Sequence, residues 1–252
     1  MDAGKVAILI PTFNEKENLE TLLNAIFSLN LNNLEVLVID DNSEDGTAKI
    51  AENFSLKYPV KLISRPKKLG LGTAYVAGFK EILKSNPDFI IQMDADLSHD
   101  PKAILEMLEE IKNADAVVGS RYIKNGKIEN WDWTRKMISR FGNFYARIVL
   151  SLPYKDLTSG YKCWRKKVIE NLKLDALDSI GYNFQIETIF FAHHMGFKIM
   201  EIPITFSERK VGASKFNFAI IKEAFLKVLL LRFRKKPGTL LVKQKVSPRY
   251  HE

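Results

Sequence analysis

Five short runs of branched aliphatic residues punctuate the first half of the chain: Val-Ala-Ile-Leu-Ile at 6–10, Val-Leu-Val-Ile at 36–39, Val-Lys-Leu-Ile at 60–63, Phe-Ile-Ile-Gln-Met at 89–93 and Ala-Val-Val-Gly at 116–119. They lack the in/out alternation of a half-solvated strand, so they read as strands buried on both faces. Between them lie segments with helical spacing at 15–29, 45–57, 72–83 and 101–111; in the first, Leu19, Leu22, Leu23 and Ile26 share one face. Strands that alternate with helices need crossover connections, and these are right-handed. The expected class is therefore α/β, a mostly parallel sheet flanked by helices. A chain of 252 residues is long enough to bury such a sheet in a single core.

In an open parallel sheet, ligands bind beyond the carboxyl ends of the strands. The residues standing there are Pro11-Thr12-Phe13-Asn14-Glu15, Asp40-Asp41, Asp94-Ala95-Asp96 and Ser120-Arg121. Four strand ends thus bring polar, mostly acidic groups to one edge. Asp94 and Asp96 send carboxylates to either side of the chain as it leaves the sheet. That suits a hard divalent cation, Mg²⁺ or Mn²⁺, which keeps several waters and bridges a diphosphate. Asp41 is placed to accept from a base or a ribose hydroxyl. The Arg121 fork either meets a phosphate or balances the neighbouring acids. Gly70-Leu71-Gly72 either turns its N–H groups to phosphate or only starts a helix.

Other chemistries are disfavoured. The first strand runs into Pro-Thr-Phe-Asn-Glu, not G-x-G-x-x-G, and no Walker A segment is present. No Ser-His-Asp or Cys-His set is visible. Cys163 is the single cysteine, which excludes a disulfide framework and suits a reducing compartment. His193 and His194 sit in an apolar helical stretch and read as packed or surface residues, and His99 beside the acid pair is given no role.

Beyond the fifth run the alternation breaks. The spacing predicts a polar, aromatic loop at 126–133, a helix at 134–152, a turn at 156–160, a helix at 182–195, a strand at 199–206 and a polar loop at 207–215. A last helix at 216–233 is apolar around much of its circumference but carries Lys222, Glu223, Lys227 and Arg232, too many charges to cross a membrane. The net charge is +8, yet residues 209–252 hold twelve basic and two acidic residues, a net of +10. A basic tail on a neutral body suits a polyanionic surface, either nucleic acid or anionic lipid, or serves solubility alone. The final helix accordingly reads as lying among lipid headgroups or as ordinary core. The first residues lack the basic and then apolar pattern of a secretion signal.

The ordered set Pro11-Thr12-Phe13-Asn14-Glu15, Val38-Ile39-Asp40-Asp41, Asp94-Ala95-Asp96-Leu97-Ser98-His99 and Gly119-Ser120-Arg121-Tyr122 resembles glycosyltransferase family 2, the nucleotide-sugar transferases of GT-A fold. Trp133-Thr134-Arg135-Lys136-Met137-Ile138-Ser139-Arg140, Asp156-Leu157-Thr158-Ser159-Gly160-Tyr161 and Glu208-Arg209-Lys210-Val211-Gly212-Ala213-Ser214-Lys215 narrow the likeness to the catalytic subunits of the dolichol-phosphate (polyprenyl-phosphate) mannosyltransferases. The similarity covers residues 5–230, and the combination of these motifs is specific where the acid pair alone is not.

The resemblance implies a division into a GT-A catalytic domain at 1–215 and an amphipathic, basic membrane-surface segment at 216–252. It implies a donor site of Pro11, Phe13, Glu15, Ile39, Asp41, Asp94, Ala95 and Asp96, with Asp96 on the metal and Arg121, Arg209 and Lys215 on phosphates. Asp96, Arg121 and Arg209 are the expected catalytic groups, and Ser98 stands where some relatives place a further metal ligand. Phe13 replaces a common tyrosine, which removes a hydroxyl contact. Arg135 and Ser139 are the expected contacts of the acceptor's phosphate. The implied reaction is metal-dependent, inverting transfer of mannose from GDP-mannose to dolichyl or polyprenyl phosphate, peripherally at the cytoplasmic face of a membrane, with a small membrane-anchoring subunit as a possible partner. UDP-glucose as donor, or a soluble hydroxyl acceptor, is the alternative. A nucleic-acid-binding module would use the basic tail but leaves the acidic sheet edge without a purpose, so no nucleic-acid partner is expected.

Overall fold

The computed structural model describes residues 4–177, 179, 181–208 and 218–234. Seven strands form one sheet: β1 (Val6–Thr12), β2 (Leu34–Asp40), β3 (Val60–Ser64), β4 (Phe89–Gln92), β5 (Ala116–Ser120), β7 (Lys162–Arg165) and β8 (Ile199–Pro203). Their order is β3-β2-β1-β4-β7-β5-β8. All neighbours run parallel except β7, which is antiparallel to both β4 and β5. The expected mostly parallel sheet is borne out. Helices α1 (Lys16–Phe27), α2 (Thr47–Ser55), α3 (Leu71–Ile82) and α4 (Ala103–Glu110) make the crossovers of the first half.

The pleat of β1 shows why both faces are apolar. Val6, Ile8 and Ile10 pack with Leu19, Leu22 and Leu23 of α1 and with Met107 of α4. Ala7 and Leu9 pack on the other face with Tyr75 and Phe79 of α3 and Phe184 of α7 (Tyr182–His194). Pro11 is tolerated within a central strand because β4 pairs with β1 only as far as Leu9, so no ladder donor is needed there.

Several elements were not visible in the sequence. β7 occupies the middle of the sheet, with Trp164 fully buried and its indole N–H donating to Gln92 Oε1 at 2.5 Å. The stretch at 199–206 is not one strand: β8 ends at Pro203, and β9 (Thr205–Phe206) leaves the sheet to pair with β6 (Lys127–Ile128), inside the segment read as loop. Helix α5 (Trp133–Leu150) starts where Asp132 accepts from the Arg135 amide at 2.8 Å, an N-cap. α6 (Lys166–Asn171) follows β7 directly, and α8 (Phe218–Phe233) packs on α5 and α7, with Val228 and Leu231 buried. Arg234 at the end of α8 pairs with the buried Glu187 of α7.

Candidate active site

Three loops leave the carboxyl edge of the sheet side by side. The one after β1 is stitched to the one after β2: the Asn14 amide donates to Ser43 Oγ (2.9 Å), the Glu44 amide to Asn14 Oδ1 (3.1 Å) and the Glu15 amide to Thr47 Oγ1 (2.9 Å). Asp40 belongs to this stitching, since it accepts from the Thr12 hydroxyl and from the Ser43 amide and hydroxyl. Asp41 is buried and ion-paired with Arg65 at 2.8 Å, and it also accepts from the Leu69 amide at 3.2 Å. Arg65 and the loop that follows it were missed by the sequence reading. In that loop the Lys68 ammonium lies 3.8 Å from the ring centre of Phe13. Ile39 and Ala95 are buried in the core, so only their main chains can face a ligand.

The acid pair sits on a turn held under strain. Asp96 is buried, and its Oδ1 accepts the Ser98 amide (3.1 Å) and hydroxyl (2.5 Å). Leu97 between them has φ of +60°, a left-handed conformation that a branched side chain disfavours and that is kept where the surroundings enforce it. Asp94 borders Gly160: a Cβ built on that glycine would lie 3.2 Å from Asp94 Oδ2. Tyr75 is buried beneath the pair. Burial first, and then the charges of Asp94 and Asp96, push its phenol well above the usual range. The edge therefore carries the negative field expected of a cation site. Among the described residues no group of three or more His, Cys, Asp and Glu converges. Two carboxylates plus substrate phosphates is the usual mode for Mg²⁺ and related ions, so the residues present fit such an ion.

His99 has a structural place. The Asp94 amide donates to its Nδ1 at 3.3 Å, and its ring stacks on Tyr161 and meets Phe206 edge-on. Burial, seconded by Arg121 and opposed by Asp96 and Asp156, pushes its pKa down to about 4. It is a neutral spacer under the acid pair. His193 and His194 hydrogen-bond Tyr154 and the Phe190 carbonyl and are packing residues, as expected.

Arg121 is held on the other side. Its Nε and Nη2 form a fork on Asp156 at 2.7 and 2.8 Å, and its amide donates to the same carboxylate at 3.0 Å. Both side chains are buried. Burial alone would raise the Asp156 pKa; the Arg121 charge and these hydrogen bonds outweigh it and hold the carboxyl below the usual range. Of the two readings of Arg121, the balancing of acids is therefore present, with Asp156 as the acid. Next to it the Tyr122 hydroxyl donates to Ser139 Oγ at 2.6 Å, and Arg135 lies 4.0 Å from the Trp131 ring centre while bonding Glu208 at 2.7 Å. The structure thus gathers Arg121, Arg135 and Ser139 on the α5 side and Pro11, Phe13, Glu15, Asp41, Asp94 and Asp96 on the β1–β4 side. Arg209 and Lys215 lie outside the described residues. Gly72 is explained by packing: a Cβ there would lie 2.4 Å from the Ser179 carbonyl.

Comparison with known proteins places the chain in a family. Residues 7–173 match the glycosyl transferase family 2 profile. The chain is 39% identical over 227 residues to the polyprenol monophosphomannose synthase of Mycolicibacterium smegmatis, covering 89% of this chain and 85% of that one. It is 41% identical over 225 residues to the undecaprenyl-phosphate mannosyltransferase of Micrococcus luteus, covering 89% and 92%. It is 42% identical over 223 residues to the dolichol-phosphate mannosyltransferase of Pyrococcus furiosus, covering 87% of this chain but only 61% of that relative. The fold superposes on glucosyl-3-phosphoglycerate synthase of Mycobacterium tuberculosis, solved with Mn²⁺, uridine diphosphate and phosphoglyceric acid, with a TM-score of 0.66 at 13% identity over 90% of this chain and 77% of that one. With its strand order, its acid pair at the carboxyl edge and these relatives, the chain belongs to glycosyl transferase family 2 and is a glycosyltransferase of GT-A fold.

Proposed function

We propose that this glycosyltransferase moves mannose from GDP-mannose to a dolichyl or polyprenyl phosphate, with inversion, at the cytoplasmic face of a membrane. The observation that carries the reading is the dual character of α5. Its first turns bring Arg135 and Ser139 beside Arg121, while Trp133, Met137, Phe141, Phe144 and Ile148, at helical spacing, form an exposed apolar stripe. Leu226, Leu230 and Phe233 of α8 are exposed as well, and α8 packs against α5. An apolar face on packed helices rimmed by Lys and Arg suits the headgroup layer. Among the described residues no helix is long and apolar enough to cross a membrane. The names of the three relatives supply the acceptor class.

In this reading Pro11, Phe13, Glu15, Asp41 and the main chain at Ile39 and Ala95 hold the nucleoside. Asp96 would hold the divalent cation, Mg²⁺ or Mn²⁺, with Asp94 beside it at the donor, and the ion when bound would supply positive charge to the leaving diphosphate. Arg209 and Lys215 are proposed to add theirs to the phosphates, and Arg121, fixed by Asp156, is proposed to join Arg135 and Ser139 in meeting the phosphates of donor or acceptor. The acceptor's phosphate oxygen attacks the anomeric carbon as the bond from that carbon to the diphosphate breaks, and GDP departs. A phosphate monoester, with a second pKa near 6, is already an anion at neutral pH, so the site needs positioning and no strong base. A buried, neutral His99 is consistent with that.

The test is transfer of label into the organic phase. Purified full-length protein, Mg²⁺ or Mn²⁺ and a polyprenyl phosphate in detergent are given labelled GDP-mannose or UDP-glucose in parallel. Label from GDP-mannose alone supports the reading. Label from UDP-glucose alone changes the donor, and label from neither removes the lipid-phosphate acceptor.

A further inference from the structure

Helix α5 borders a second feature, which shares Arg121 with the site described above. A cleft of about 290 Å³ opens beside it, lined among others by Arg121, Arg140, Asn143, Phe144, Arg147 and Lys155. Asp94, Asp96, Arg135 and Ser139 do not line it. Arg121 adds little net charge, since Asp156 neutralises it. Arg140, Arg147 and Lys155 have no carboxylate partner among the described residues, and Arg147 Nε is buried without a hydrogen-bond acceptor there. Three cations facing one cavity repel one another, and an anion in the cavity would relieve that. Phe144 belongs both to the cleft and to the exposed apolar stripe. The cleft therefore opens at the margin of the face read above as membrane-docking.

We propose that this cleft binds the phosphate of an anionic membrane phospholipid that is not consumed in the reaction. Arg140, Arg147 and Lys155 would contact the phosphate, and the acyl chains would follow the stripe at Phe144. Such a lipid fixes the depth and roll of α5, and with it the level at which Arg135 and Ser139 meet the acceptor. The inference rests on the membrane reading. A lipid is favoured over a free anion because the cationic cavity adjoins exposed aromatic surface, which a soluble phosphate would leave uncovered.

The experiment is co-sedimentation of the full chain with phosphatidylcholine vesicles, with and without phosphatidylglycerol. Wild type is expected to prefer the anionic vesicles. Arg140→Gln, Arg147→Gln and Lys155→Gln should each weaken that partition about fivefold, and the triple variant about a hundredfold. Lys136→Gln, on the same helix but outside the cleft, should change it less than twofold. The triple variant, checked for its fold by circular dichroism, should keep wild-type turnover on a polyprenyl phosphate in detergent. Equal partition of wild type and triple variant overturns the cleft and leaves the membrane reading standing, whereas no vesicle binding by wild type sinks the membrane reading itself. A fivefold loss in Lys136→Gln means diffuse charge and no site. A raised KM for the lipid phosphate in detergent would make the cleft part of the acceptor site. Calorimetric binding of inorganic phosphate that the triple variant loses, with vesicle binding intact, would make it a free-anion site. Each of these three results overturns the proposal.

Discussion

Replacing Asp156 by Asn tests whether Arg121 is held by this acid or is free for a phosphate. Asn keeps the shape of the side chain but leaves the guanidinium of Arg121, a residue only 9% exposed, without its counter-charge. Breaking a buried pair from one side costs about 3–5 kcal/mol. For a chain of this size that is a fall in Tm of roughly 6–20 °C. Urea melts should show a lower midpoint with unchanged slope, the sign of lost stability in an unaltered fold. The pH dependence gives a second readout. The folded pKa of Asp156 lies below its ordinary value of 3.8. Its stabilisation is therefore complete above that value and lost as pH falls through the folded one. Wild type should lose more stability than Asp156→Asn between pH ~5 and pH ~2. The double variant Arg121→Met with Asp156→Leu should be less destabilised than the sum of the single changes, because no charge is stranded. An Asp156→Asn midpoint equal to wild type would refute the argument and return Arg121 to the phosphate role alone.

Two further outcomes follow from the site. Asp96→Asn should abolish transfer while leaving the circular dichroism spectrum and the melt within about 1 kcal/mol of wild type; normal turnover would remove Asp96 from the metal role. Cys163 is fully buried in β7, and burial pushes its thiol well above the usual range; it should react with a thiol reagent only after denaturation, and rapid labelling of the native protein would show that β7 opens.

How much of this was legible in the sequence depended on whether a residue's partners lay nearby along the chain. The five strands of the first half were readable because branched aliphatics at 6–10, 36–39 and 116–119 have few alternatives to a buried strand. β7 was not, because its Lys162 reads as surface. In the fold it is fully buried, and its ammonium donates to the Gln185 carbonyl and side chain and to Thr188, on a helix more than twenty residues away. The acid pair was found from its place after a strand, but Asp41 and Arg121 could be placed only as members of an edge. Arg65 and Asp156, which hold them, follow from long-range packing that no local pattern encodes. Pro203 was the one missed local signal, since a proline there ends β8 and frees Thr205 and Phe206 to pair elsewhere.

Gly160 offers a way to move the donor site without touching a charged group. A methyl added there would stand 3.2 and 3.3 Å from the two carboxylate oxygens of Asp94, closer than ordinary carbon–oxygen contact. The backbone of this residue is not left-handed, so alanine costs no torsional strain. The Asp94 carboxylate must give way by a few tenths of an ångström. It is half-buried and on the rim of the site, so the fold can absorb the shift, and the melt of Gly160→Ala should stay within about 1 kcal/mol of wild type. Catalysis is less forgiving, since a misplacement of about 1 Å costs on the order of a hundredfold. A shift of this smaller size should cost roughly tenfold in kcat/KM, with the dependence on Mg²⁺ or Mn²⁺ concentration moved to higher values. Unchanged kcat/KM would show that Asp94 does not need its observed position. A large fall in Tm would show instead that the turn at Gly160 is rigid core, and that its closeness to Asp94 is a matter of packing alone.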